Sequence, residues 1–120
     1  MTNGNVNQEL FAQFERSRNQ LMGLSAQKQQ FQGQTRALKA GKEELEKTKE
    51  KKVFKAVGNI LIQKDVAEMK KELKENIESF ELRTKTLEKQ EEALVKKLNK
   101  LKSELEGKPE KEEEKEKKKK

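Results

Sequence analysis

A seven-residue apolar repeat, present twice and broken once near the middle, constrains this chain more than any other feature. Before the break, one series (d) reads Leu10, Ser17, Leu24, Phe31, Leu38 and Leu45, and a second (a) reads Phe14, Leu21, Lys28, Thr35 and Lys42. After it, the d series is Val66, Leu73, Phe80, Leu87, Leu94 and Leu101, and the a series is Lys70, Ile77, Thr84, Glu91, Leu98 and Leu105. Such spacing draws one narrow apolar stripe along a helix, and a stripe of that kind needs a partner helix to cover it. With 30% hydrophobic and 42% charged residues, the chain has too little apolar material for a thick globular core. The repeats therefore predict two helices, over about 6–50 and about 66–106. Residues 1–7 are polar and expected to fray. Asp65 stands where an N-cap would, and Gly107 and Pro109 supply the usual stop.

The two stripes fit each other when run antiparallel. One register pairs Leu10 with Leu105, Phe14 with Leu101, Ser17 with Leu98, Leu21 with Leu94 and Leu24 with Glu91. It continues through Lys28–Leu87, Phe31–Thr84, Thr35–Phe80, Leu38–Ile77, Lys42–Leu73 and Leu45–Lys70, and no layer holds two polar residues. A shift of one heptad sets Ser17 against Glu91. The pairing is centred between Val57 and Gly58. There the local sequence also marks a turn: Val53-Phe54-Lys55-Ala56-Val57 and Ile60-Leu61-Ile62-Gln63-Lys64 flank Gly58-Asn59. Two β-prone runs around Gly-Asn predict a hairpin over 53–64, with Gly58 supplying the positive φ of a type II′ turn. The competing reading carries the helix straight through; the broken heptad and the clustered β-branched residues argue against it.

Composition also excludes chemistry. The chain has no His and no Cys, so thiolate catalysis, disulfides and Cys/His zinc sites are ruled out. Glu43-Glu44 and Glu91-Glu92 are sequence neighbours that point in different directions on a helix, unlike an acid/base pair. Gly23, Gly33 and Gly41 are scattered through a helical pattern and form no phosphate loop. No catalytic residue, metal ligand or cofactor site is expected. Net charge is +7, but Lys and Glu alternate at nearly every turn, which reads as a solvated helical surface and argues against nucleic acid. No apolar leader opens the sequence, and the run Ile60-Leu61-Ile62 is far short of the ~20 residues a membrane span needs. A soluble, cytoplasmic protein is expected. The segment 108–120, with seven Lys, five Glu and one Pro, is expected to be a disordered tail after a single domain over 1–107.

Two apolar surfaces remain. Val53, Phe54, Val57, Ile60, Leu61 and Ile62 cannot all be covered by one hairpin, which implies partner strands from other subunits; packing back onto its own helices is the alternative. The far helix ends carry Leu10, Phe11, Phe14, Leu94, Leu98, Leu101 and Leu105. An apolar cluster at such a tip can grip non-native polypeptide, although the seam leucines serve equally to close the coil. Phe11 lies beside the seam and is expected to be partly exposed.

The block Val53-Phe54-Lys55-Ala56-Val57-Gly58 followed by Ile60-Leu61-Ile62, between heptads over Leu10–Leu45 and Val66–Leu105, resembles the prefoldin β-type subunit. The resemblance covers roughly residues 6–106, and a single hairpin favours the β over the α type. It implies a mostly α fold: a long antiparallel two-helix coiled coil whose central hairpin joins an intersubunit β-barrel. It further implies a hexamer of two α-type and four β-type subunits. Its tips would hold unfolded client proteins without ATP and deliver them to a group II chaperonin. By position, Phe54, Val57, Gly58, Ile60 and Ile62 would be barrel residues. Leu10, Phe11, Phe14, Leu98, Leu101 and Leu105 would lie in the client-binding tip. Two other functions fit the residues alone: a coiled-coil scaffold for one folded partner, or a nucleic-acid or ribosome binder using the basic tail and Lys47–Lys52.

Overall fold

The computed structural model describes residues 2–107, with side chains from residue 7 onward. Its elements run α1 (Thr2–Lys47), β1 (Lys52–Val57), β2 (Ile60–Asp65) and α2 (Val66–Glu106). The expected order of helix, hairpin and helix is present. The first helix begins earlier and ends earlier than its heptads suggest. The polar start is helical from Thr2 instead of frayed, and α1 stops at Lys47 instead of about 50. The cause of the early stop is local: the Thr48 hydroxyl accepts a hydrogen bond from the Glu50 amide at 3.2 Å, a turn that competes with helix continuation. The tail over 108–120 and Pro109 lie outside the described residues.

The strands pair antiparallel, with Val57 opposite Ile60 and Lys52 opposite Asp65, leaving Gly58-Asn59 as a two-residue turn. Gly58 has φ +60° and, among the described residues, no non-glycine residue has positive φ, Asn59 included, so the turn is the expected type II′ and not type I′. The hairpin feeds directly into α2. The Val66 amide, which a helix start leaves without an internal partner, donates to the Lys51 carbonyl at 2.9 Å across the hairpin base. Gly107 closes α2 at φ +71° with its amide 3.3 Å from the Glu104 carbonyl.

The chain packs as two compact units, one of Lys28–Thr86 and one joining the chain up to Gln27 with Leu87 onward. In the Lys28–Thr86 unit the helices meet antiparallel. The Phe31 and Phe80 rings lie 5.6 Å apart, with the Arg83 guanidinium 5.8 and 5.6 Å from their centroids. Further along, a Cβ at Gly41 would sit 3.9 Å from Leu73. In the other unit Ser25 donates to a Glu91 carboxylate oxygen at 2.5 Å. Arg83 beside Phe31, Leu73 beside Gly41 and Glu91 beside Ser25 each fall within one residue of the pairing expected from the heptads.

The buried apolar residues follow the stripes, while Ser103, 2% exposed, is buried off them. Ile77 lies in the Lys28–Thr86 unit, and Leu87 and Leu101 lie in the other. Polar seam positions are reconciled locally. Thr35 and Thr84 each turn the hydroxyl back to the carbonyl four residues earlier, Phe31 and Phe80, at 2.9 Å. Ser17 is 1% exposed, small enough to sit inside a seam otherwise built of leucine. Cutting Ile77 to Ala should lower stability by about 2–4 kcal/mol. Leu82→Ala, at a residue 67% exposed, should change it by less than about 0.5 kcal/mol. Thermal unfolding followed by far-UV circular dichroism measures both, and equal melts for the two variants would contradict this assignment of the seam.

Candidate functional sites

Residues opposite one another across the ladder share a face. One face of the hairpin holds Val53, Lys55 and Val57 with Lys64, Ile62 and Ile60; the other holds Lys52, Phe54 and Ala56 with Asp65, Gln63 and Leu61. The two faces differ in environment. On the first, Val53, Lys55 and Lys64 are half-buried, and both lysines donate to one carboxylate of α2: Lys55 to Glu72 Oε1 and Lys64 to Glu72 Oε2 at 3.2 Å. The second carries Phe54 and Leu61 at 66% and 69% exposure, with Ala56 exposed between them. Val57, Ile60 and Ile62, nearer the turn, are exposed as well. Six of the seven hairpin residues singled out in the sequence thus lie open, and Val53 is the half-covered one.

The backbone is open too. In a two-residue hairpin the pair flanking the turn exchanges both backbone bonds, and alternate pairs follow. Val57–Ile60, Lys55–Ile62 and Val53–Lys64 are therefore bonded inward. Phe54, Ala56, Leu61 and Gln63 direct their N–H and C=O groups to the free edges. Such edges accept further strands.

Ion pairs hold the hairpin base. Lys52 meets Asp65 at 2.6 Å. That hydrogen bond, then the charge of Asp65, raises Lys52 above its ordinary 10.5. This contribution is complete below pH 10.5 and is lost as pH rises through the raised value. The hydrogen bonds from Lys55 and then Lys64 hold Glu72 below its ordinary 4.5, outweighing the desolvation that would raise it. Its contribution is complete above pH 4.5 and disappears as pH falls through the lowered value.

The start of α1 and the end of α2 belong to the same unit. There Leu10, Phe14, Leu94, Leu98 and Leu105 are half-buried, and Leu101 is sealed at 5% exposure. Leu101 therefore lies inside the seam, where it closes the coil. Phe11, 57% exposed, stands outside the seam as expected. Two further apolar side chains of this unit, Met22 and Val95, are exposed and were not singled out by the heptads. Val95 follows the d residue Leu94 as Phe11 follows Leu10, so the same off-seam position could have revealed it. All these groups offer apolar contact and backbone pairing, with no nucleophile or acid/base couple among them. Among the described residues no helix is long and apolar enough to cross a membrane.

Comparison with known proteins agrees with this architecture. A family model described as prefoldin subunit matches residues 8–119. The chain is similar to the prefoldin subunit beta of Pyrobaculum calidifontis, 38% identical over 99 residues, 82% of this chain and 79% of that protein. It is also similar to the prefoldin subunit beta of Archaeoglobus fulgidus, 41% identical over 88 residues, 72% of this chain and 76% of that one. The crystal structure of the prefoldin beta subunit from Thermococcus strain KS-1 superposes with a TM-score of 0.78 at 31% identity, covering 84% of this chain and 90% of that chain. Subunits of this family are non-enzymatic chaperone components that assemble with other prefoldin subunits. Two long helices joined by an open-edged, apolar hairpin, together with these matches, place the chain in the prefoldin subunit family.

Proposed function

We propose that this chain is the β-type subunit of an ATP-independent holding chaperone of the cytoplasm. It joins its hairpin to those of α-type partners and further β copies in a hexamer of two α and four β subunits. The observation that carries this reading is the hairpin: Phe54, Val57, Ile60, Leu61 and Ile62 are exposed within nine residues of a chain that is 42% charged. Strand addition at both edges would close a barrel, bury these side chains and satisfy the edge backbone groups. Residues 1–107 act as one domain, with 108–120 as an appended solubilising tail.

The paired helix ends serve as the client surface. Phe11 and Val95, with Leu10, Phe14, Leu94, Leu98 and Leu105 behind them, present apolar contacts to non-native polypeptide. Each contact is weak. Several tips acting on one unfolded chain raise the effective affinity by orders of magnitude without any new contact. Release from such a surface needs no nucleotide, in keeping with transfer to a group II chaperonin.

Strand and tip variants, with a competition assay, test this function. Ile60→Lys with Ile62→Lys places charge on the exposed strand and should reduce the native mass, measured alone and with an α-type partner, to that of smaller species; an unaltered mass contradicts barrel assembly. Phe11→Ser with Val95→Ser alters exposed residues alone, so unfolding should shift by less than about 0.5 kcal/mol. Suppression of aggregation of an unfolded client should nonetheless weaken severalfold. Full protection would move the client surface elsewhere. Competition between unrelated unfolded proteins for the same surface separates this reading from a scaffold for one folded partner.

A further inference from the structure

Between Lys51 and Asp65 the only acidic side chain is Asp65, and it is engaged by Lys52 on the hairpin's outer face. The two lysines of the inner face reach instead to α2. Lys55 stands opposite Ile62 and Lys64 opposite Val53, so the Glu72 carboxylate spans both strands on a diagonal, one oxygen for each. The three side chains are 30–33% exposed, whereas Glu15–Arg18, Lys39–Glu81, Glu43–Lys47 and Lys52–Asp65 each have a member at 57% or more. Exposed pairs contribute little to stability; a shared and partly shielded carboxylate that joins three segments constrains geometry as well.

We infer that Glu72 is a positioning residue for assembly: it fastens the base of the hairpin to α2 by one face, so that the strand edges, the apolar side chains toward the turn and Phe54 and Leu61 on the other face meet partner strands in one orientation. This rests on the assembly reading above. A free two-stranded hairpin is marginal in water, and a slip of one residue exchanges its faces. Glu72 opposes both, because either a tilt or a slip removes Lys55 and Lys64 from its two oxygens. It also neutralises two cations set among Val53, Val57, Ile60 and Ile62, where a partner's apolar strand would otherwise meet unpaired ammonium groups.

The test uses the full chain with its α-type partner, and native mass spectrometry over a concentration series. Glu72→Gln should raise the concentration of half-assembly about fivefold. Amide exchange over 52–65 should quicken while the helical melt stays as in the parent. Exchanging the charges, with Lys55→Glu, Lys64→Glu and Glu72→Lys together, rebuilds the clamp in reverse polarity and should restore assembly. A residue that merely stabilised the fold would shift the melt in step with assembly and would gain nothing from the exchange. The inference is overturned if Glu72→Gln assembles at the parent concentration, if its loss tracks a lowered melt, or if the charge-exchanged chain fails to assemble. Loss of mass in the Ile60/Ile62 variant without any loss in Glu72→Gln removes the clamp alone; no loss in either removes the assembly reading with it.

Discussion

The structure depends on the mutual covering of two apolar stripes, each too narrow to sustain a helix alone. Isolated helices draw little stability from propensity and most of it from packing, and here each helix is the other's packing surface. The arrangement requires the chain to reverse direction between the stripes. Gly58 makes the reversal possible, since a left-handed residue at the first turn position suits the twist of the flanking strands. The seam then sorts itself by size and hydrogen bonding. Ile77, Leu87 and Leu101 fill it, Ser17 fits because it is small, and Thr35 and Thr84 satisfy their hydroxyls on their own helix.

The hairpin that makes the reversal also carries the assembly surface, and these two tasks pull against each other. A turn needs only a short, polar connection. This one carries a cluster of exposed apolar side chains, a liability for a monomer and a requirement for a subunit. Charge manages the conflict. Lys52–Asp65 on one face and Lys55–Glu72–Lys64 on the other tie the strands at their base, so the apolar portion toward the turn is left presented in one orientation. The helix ends follow a different logic. Their leucines are largely committed to the seam, and the contact surface consists of side chains one position outside it.

Much of the architecture was legible beforehand because periodicity is a property of the chain itself. The heptads located both helices and brought their partners to within one residue, and Val57-Gly58-Asn59-Ile60 marked the turn and its type. The end of α1 at Lys47 coincides with a Thr48 side-chain turn, an interaction that a seven-residue pattern does not register. Leu101 shows a related limit of the pattern: a leucine on the stripe looks the same whether its layer is open or closed. Val95 belongs to neither series, although its position matches that of Phe11.

What the linear sequence settled by itself was the two-helix plan with a β reversal and the exclusion of thiol, imidazole and Cys/His zinc sites, because spacing and composition suffice for both. Only the tertiary structure decided which face of the hairpin is fastened to α2, which leucines are sealed and which carboxylate holds the strands. Those outcomes depend on distances between residues remote along the chain, such as Lys55 and Glu72, whose meeting is created by the fold and encoded in no local pattern.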